Sequence, residues 1–210
     1  PLLIMGETGV GKSAFVDLFE NNYKGDHPGV TVTRMNIAAI PDTLIEGELF
    51  GHKAGAFTDA RREYHGIIGK LKDNDLLILE EIGELGPYLQ VKLLTFIEDG
   101  EYYRLHDTDK KTAKNIQIVG TTNKGPQAKN LRKDFFQRFL TFHIPALRDR
   151  KTDIGHYAQK LCPEGWALIK NEGHTGYLGH LSGVADELAY LQNPKKPKPL
   201  YSDAEWEFLT

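Results

Sequence analysis

An apolar run, Leu2-Leu3-Ile4-Met5, leads directly into Gly6-Glu7-Thr8-Gly9-Val10-Gly11-Lys12-Ser13, and a helix-periodic stretch follows. This junction restricts the fold more than anything else in the chain. The octet has the form G-x-x-x-x-G-K-S, and a buried strand before it with a helix after it is the setting in which such a loop wraps phosphates. Glycines let backbone N–H groups turn inward, and the N-terminus of the following helix adds a favourable dipole. Gly6, Glu7, Thr8, Gly9, Val10, Gly11, Lys12 and Ser13 are therefore the expected cradle. Lys12 is expected to reach the β- and γ-phosphates, and the Ser13 hydroxyl to ligate Mg2+.

The rest of the chain continues the same architecture. Short apolar runs at 30–37, 76–79 and 116–120 alternate with amphipathic stretches at 12–22, 42–50, 88–98 and 130–139. That alternation predicts an α/β domain with a mainly parallel sheet flanked by helices. After Ile144-Pro145 the character changes. A helix is expected at 153–161, then a Gly- and His-rich stretch at 162–183, a helix at 184–192 and a solvated Pro-Lys run at 194–199. The division expected is a nucleotide-binding core over 1–146 and a helical lid over 147–210. Both ends read as cut, the first inside a strand and the last inside a helix starting near Ser202.

Bulk composition excludes several alternatives. With 210 residues, 40% hydrophobic and 26% charged, the chain can bury a core and has no disordered character. No apolar run approaches the roughly 20 residues of a spanning helix, so no membrane association is expected. The single cysteine, Cys162, cannot form an internal disulfide, which suits a reducing cytoplasm. His174 and His180 are too isolated to suggest a metal. A net charge of -3 argues against a broad phosphate-gripping face, so DNA binding is expected only through a domain outside this segment.

Two further strand ends carry polar groups. Leu76-Leu77-Ile78-Leu79 runs into Glu80-Glu81, where a metal-side acid (Glu80) and a water-activating acid (Glu81) belong beside a phosphate loop. A solvated acidic turn, with Glu84 nearby, is the alternative. Ile116-Gln117-Ile118-Val119-Gly120-Thr121-Thr122 ends at Asn123, which either contacts the attacking water or γ-phosphate or simply caps a turn.

Taken in order, these pieces resemble the central AAA+ domain of sigma-54-dependent transcriptional activators, the bacterial enhancer-binding proteins. The similarity covers about residues 2–154. Glu48-Leu49-Phe50-Gly51-His52 with Gly55-Ala56-Phe57-Thr58-Asp59-Ala60 looks like the family's ELFGH…GAFTGA signature. Met35-Asn36-Ile37-Ala38-Ala39-Ile40 resembles its VNCAAL segment, and Leu79-Glu80-Glu81-Ile82-Gly83-Glu84-Leu85 its LDEIGEL. Gln90-Val91-Lys92-Leu93-Leu94 with Glu98-Asp99-Gly100-Glu101 is similar to QxKLL…EGE, the 131–139 segment to FREDLYYRL, and 144–150 to IPPLRER.

The resemblance implies a P-loop ATPase using ATP and Mg2+. It implies that Asn36 restrains Glu81 until nucleotide and partner are set. It also implies that Arg132 and Arg138 reach the γ-phosphate of a neighbouring subunit in a ring, usually a hexamer. Without it, Arg132 pairing locally with acids and Arg138 lying along the surface would be the expectation. The loop from Gly55 to Ala60 would touch the sigma factor, with Phe57 inserting into the partner or tucking into its own domain. Three departures stand out. Asp59 occupies the signature's second glycine position, Glu80 replaces Asp, and no WPGNVREL-like lid segment is found. They keep open an AAA+ motor acting on another protein and a nucleotide switch that barely turns over.

Overall fold

The computed structural model describes residues 1–56, 60–125, 127–128, 131–150 and 153. In chain order the elements are β1 (Leu2–Met5), α1 (Lys12–Asp26), β2 (Val32–Asn36), α2 (Asp42–Phe50), β3 (Leu76–Glu80), α3 (Pro87–Asp99), β4 (Glu101–Tyr102), β5 (Lys111–Thr112), β6 (Gln117–Thr122), α4 (Lys133–Gln137) and β7 (Leu140–His143). Five strands form one parallel sheet in the order β2-β3-β6-β1-β7, while β4 and β5 make a small antiparallel ribbon. The fold is the AAA+ type of P-loop domain.

Register decides which side chains share a face. Leu3 lies opposite Gly120, Gly120 opposite Leu79, and Leu79 opposite Met35. Leu3, Met35, Leu77, Leu79 and Ile118 build the main core with Leu49 and Phe50 of α2, Leu93 and Phe96 of α3, and Phe135 and Phe136 of α4. A fully buried Leu such as Leu77 or Leu79 contributes about 1.5–3 kcal/mol. The opposite face carries Ile4, Ile78, Val119, Arg34 and Glu80. It receives α1, whose Phe15 stacks on Phe142 of β7 at 4.7 Å.

Several boundaries differ from the sequence expectation, each for a physical reason. The first helix runs past residue 22 to Asp26, because the Glu20–Lys24 pair and the stacking of Tyr23 on His27 carry it over Gly25. The helix expected at 130–139 contracts to α4, since Arg132 is extended and the backbone turns directly into β7 after Arg138. Neither β7 nor the β4–β5 ribbon is expected from the sequence. All four residues of β7 are exposed and their apolar–polar alternation is too short to mark a strand; it forms because its backbone pairs with β1. The ends of β2, β3, β6 and α3 shift by one or two residues, while β1 and α2 keep the expected bounds.

A second compact unit begins at Pro145. Its described residues, 145–150 and 153, include one 3-10 turn at Leu147–Asp149, and Arg150 both donates to the Pro145 carbonyl at 3.1 Å and pairs with Asp153. Phe57, Thr58, Asp59 and Asn130 lie outside the described residues. So do the elements expected at 154–210, together with Cys162, His174 and His180. Among the described residues no helix is long and apolar enough to cross a membrane. None of them forms a group of three or more His, Cys, Asp or Glu placed to hold a metal.

Candidate functional site

Because the sheet is parallel, the carboxyl ends of β1, β3 and β6 lie along one edge, where ligands of such sheets bind. The glycine-rich loop leaves β1 there, anchored by the Gly6 N–H donating to the Thr122 carbonyl at 3.2 Å. Gly9 and Gly11 hold φ of 85° and 101°, which residues with a Cβ rarely adopt. Gly11 is also the N-cap of α1, and no side chain caps its first N–H groups. A helix start built this way leaves its donors for an anion. Lys12 is buried, and its ammonium donates to the Gly6 carbonyl at 2.9 Å and the Glu7 carbonyl at 3.1 Å. Ser13 is exposed one residue further on.

Lys12 also lies 3.9 Å from a carboxylate oxygen of Glu81. Glu81 is itself unusual, with φ 54° and ψ 44° in the left-handed region. For a residue with a side chain this conformation costs on the order of 1–3 kcal/mol and persists only where neighbours enforce it. Here the Glu81 N–H donates to the buried Thr121 hydroxyl at 3.1 Å, and its carboxylate accepts from the Asn123 N–H at 3.3 Å. The ends of β3 and β6 thus hold one acid beside the loop lysine. Asn123 meets it through its backbone.

Glu80, one residue earlier, is paired in register with Asn36 and lies on the α1 side of the sheet. Its carboxylate is 3.9 Å from Arg34. Ser13 and Glu80 supply hard oxygen donors of the kind Mg2+ accepts alongside phosphate oxygens and water. The Asn36 side chain accepts from the Ala38 N–H at 3.0 Å and caps a 3-10 turn at Ile37–Ala39.

The two candidate arginines lie elsewhere. Arg132 is half exposed and pairs with Asp134 at 2.6 Å, while its N–H donates to the side chain of buried Gln90. Arg138 pairs with Glu98 of α3. Arg132 therefore makes the local acid pairing that the residues alone suggest.

A long loop leaves α2 at Gly51 and returns at Gly66. The backbones cross so closely that a Cβ on Gly51 would meet the Tyr64 carbonyl at 2.3 Å. His52 and Tyr64 exchange both backbone hydrogen bonds, and the Leu105 N–H donates to the Gly51 carbonyl at 2.8 Å. Charges reinforce this neck. Lys53 on the outgoing limb pairs with Asp107 at 2.8 Å; buried Arg104 pairs with Asp107 at 2.7 Å and with Glu63 on the returning limb. The Lys53 ammonium, then the Asp109 N–H and Arg104, hold the Asp107 carboxyl well below the usual range, and the Arg104 guanidinium lowers Glu63. Above the neck, Gly55 donates to the Ala60 carbonyl at 2.7 Å.

Residues 1–145 match the sigma-54 interaction domain. The chain belongs to that family. The Nif-specific regulatory protein of Azotobacter vinelandii is 36% identical over 166 residues, covering 76% of this chain and 31% of that protein. The regulatory protein AtoC of Escherichia coli is 38% identical over 176 residues, covering 78% and 37%. The anaerobic nitric oxide reductase transcription regulator NorR of Vibrio vulnificus is 35% identical over 218 residues, covering 94% and 42%. The chain thus spans between 31% and 42% of the lengths of these curated relatives. Among solved structures, NtrX from Brucella abortus aligns with a TM-score of 0.65 at 19% identity, covering 97% of this chain and 48% of that one. The same protein in complex with ATP gives 0.62 at 20%, covering 97% and 50%.

Within this sigma-54 interaction domain, sequence reasoning missed three sets of residues. Thr121 supports the Glu81 backbone, and its signal was the polar end of β6. Arg34 reaches Glu80 from β2, with no local cue. The charged neck joins residues more than 40 positions apart, which no motif spacing discloses.

Proposed function

We propose that the chain is the ATP-hydrolysing motor of a sigma-54-dependent transcriptional regulator, working in the cytoplasm as a homo-oligomeric ring, usually six subunits in this family. The observation that carries the reading is the convergence of Lys12 and Glu81 at the end of the glycine-rich loop. Loop amides from Gly6 to Ser13 bind the triphosphate, and Lys12 leaves its carbonyl partners for the β- and γ-phosphates. Ser13 and Glu80 hold Mg2+, which neutralises phosphate charge when bound.

Glu81, already beside Lys12 and fixed by Thr121 and the Asn123 N–H, accepts the proton of the attacking water. Asn36 restrains Glu81 in the resting state by releasing its cap on Ala38 and turning toward the acid. Arg132 and Arg138 act across the subunit boundary, each exchanging an exposed acid partner for phosphate oxygens of the neighbouring site. The loop from Gly55 to Ala60, raised on its clamped neck, carries Phe57 to sigma-54 RNA polymerase, and residues 147–210 contribute a helical lid. DNA binding belongs to a domain outside this chain.

Nucleotide-dependent co-elution with sigma-54 tests the partner. We expect a stable complex with ATP and a transition-state mimic of the γ-phosphate, and none without nucleotide. Steady turnover with no co-elution under any nucleotide would instead favour another protein target, for which Asp59 is the motivating residue.

A further inference from the structure

One charged residue at the sheet edge, Arg34, has no role in the scheme above, and it meets the acid assigned to magnesium. Arg34 projects from β2 on the α1 side of the sheet. Its Nε donates to Glu20 at 2.8 Å, and its Nη2 approaches both Glu20 and Asp17 at 2.6 Å. Both acids belong to α1, the helix that begins at Lys12. With Nε and Nη2 engaged by these acids, the remaining Nη1 lies 3.9 Å from Oε1 of Glu80. At this separation the contact is an electrostatic hold rather than a hydrogen bond. Glu80 thus lies in the field of a cation held in place by two acids of α1.

Side-chain length makes the contact possible. Glu80 stands where the family signature has Asp, and its extra methylene carries the carboxylate toward Arg34. We propose that Arg34 is a positioning residue for Glu80, drawing the longer carboxylate toward α1 and lowering its hold on the magnesium that accompanies the nucleotide. This rests on the reading of Glu80 as the metal-side acid. The positive charge beside that acid opposes a cation there, so removing it strengthens metal binding. Asp17 and Glu20 keep the guanidinium from turning away, which makes the effect a property of the built network rather than of a wandering surface arginine.

The test follows binding of a fluorescent ATP analogue to the purified chain across a Mg2+ titration, with no turnover required. Arg34→Met should lower the Mg2+ concentration at half-effect by about two- to fivefold, the range of a partly exposed ion pair, and leave metal-free nucleotide affinity unchanged. In a Glu80→Asp background, where the shorter acid falls short of Arg34, the same substitution should shift the midpoint less than about 1.5-fold. Arg34→Lys, which keeps the charge, should stay near the parent chain and guards against a folding defect.

An unchanged or raised midpoint in Arg34→Met would overturn the inference. So would an equal shift in the Glu80→Asp background, which would mean that Arg34 acts only through α1. Glu80→Gln separates the two layers. If it leaves the Mg2+ dependence intact, the metal-side reading of Glu80 falls and this inference with it. If it abolishes the dependence while Arg34→Met changes nothing, only the inference about Arg34 falls.

Discussion

The rim of the nucleotide cradle and the neck of the long loop are built on opposite plans. At the cradle, glycines in left-handed conformations and an uncapped helix start turn backbone donors outward, and Lys12 rests on two carbonyls that it can leave. At the neck, Lys53, Glu63, Arg104 and Asp107 satisfy one another, and two backbones cross at a distance that admits no side chain. The cradle holds its lysine on backbone carbonyls that an anion can replace. The neck instead pairs its charges internally, because a buried charge without a partner is costly. The two therefore should fail differently when altered, the first in chemistry and the second in mechanical order.

The largest expected difference lies at the cradle. Glu81→Gln should lower steady-state phosphate release by about 10²- to 10⁴-fold, the usual value of a general base, while calorimetry shows ATP affinity retained. Equal losses of binding and turnover would mean that Glu81 shapes the loop rather than the reaction. Next, Thr121→Val removes the acceptor of the Glu81 N–H in a buried place, which costs about 1–3 kcal/mol. Its unfolding midpoint should fall, and turnover should fall with it because Glu81 loses its support.

At the neck, Asp107→Asn should leave turnover within about twofold, as expected of a site that touches no reacting atom. Amide exchange at residues 51–55 and 60–66 should nevertheless rise sharply, and co-elution with sigma-54 should weaken. A large loss of hydrolysis with unchanged amide exchange would erase the contrast between the two regions.

The smallest effect concerns pH. Asp107 has a folded-state value depressed from the ordinary 3.8. Its contribution is complete above that ordinary value and is lost only as pH falls below it toward the lower folded value. The gap in melting temperature between the parent chain and Asp107→Asn should stay constant from about pH 8 to pH 5 and narrow only below about pH 4. A gap that closes near neutrality would show that a group other than Asp107 controls the network.

What the sequence disclosed follows the same divide. The phosphate loop, β1, β3 and β6 are legible because strand, glycines and polar strand ends sit side by side in the chain. Residues 2–13 alone predict a local geometry, and the structure places it at the expected sheet edge. The left-handed backbone of Glu81 was not legible, since it depends on a Thr121 hydroxyl 40 positions away. Neither was β7, whose Leu-Thr-Phe-His alternation is only four residues long and whose place depends on pairing with β1. Lys53 and Asp107 stand 54 positions apart, so no local motif points to the pair that the fold creates. Local motifs reveal where a ligand can bind, whereas the supports that aim the reacting groups arise from contacts made only on folding.

The central claim is that one site is completed by two subunits, and mixing two inactive variants tests it most directly. Arg138→Ala lacks the arginine proposed to act across the subunit boundary, and Glu81→Gln lacks the acid of its own cradle. The account predicts that each alone releases almost no phosphate, and that their mixture recovers activity well above the sum, because intact acids then face intact arginines. A mixture no more active than its components, at concentrations where the chains assemble, would contradict it.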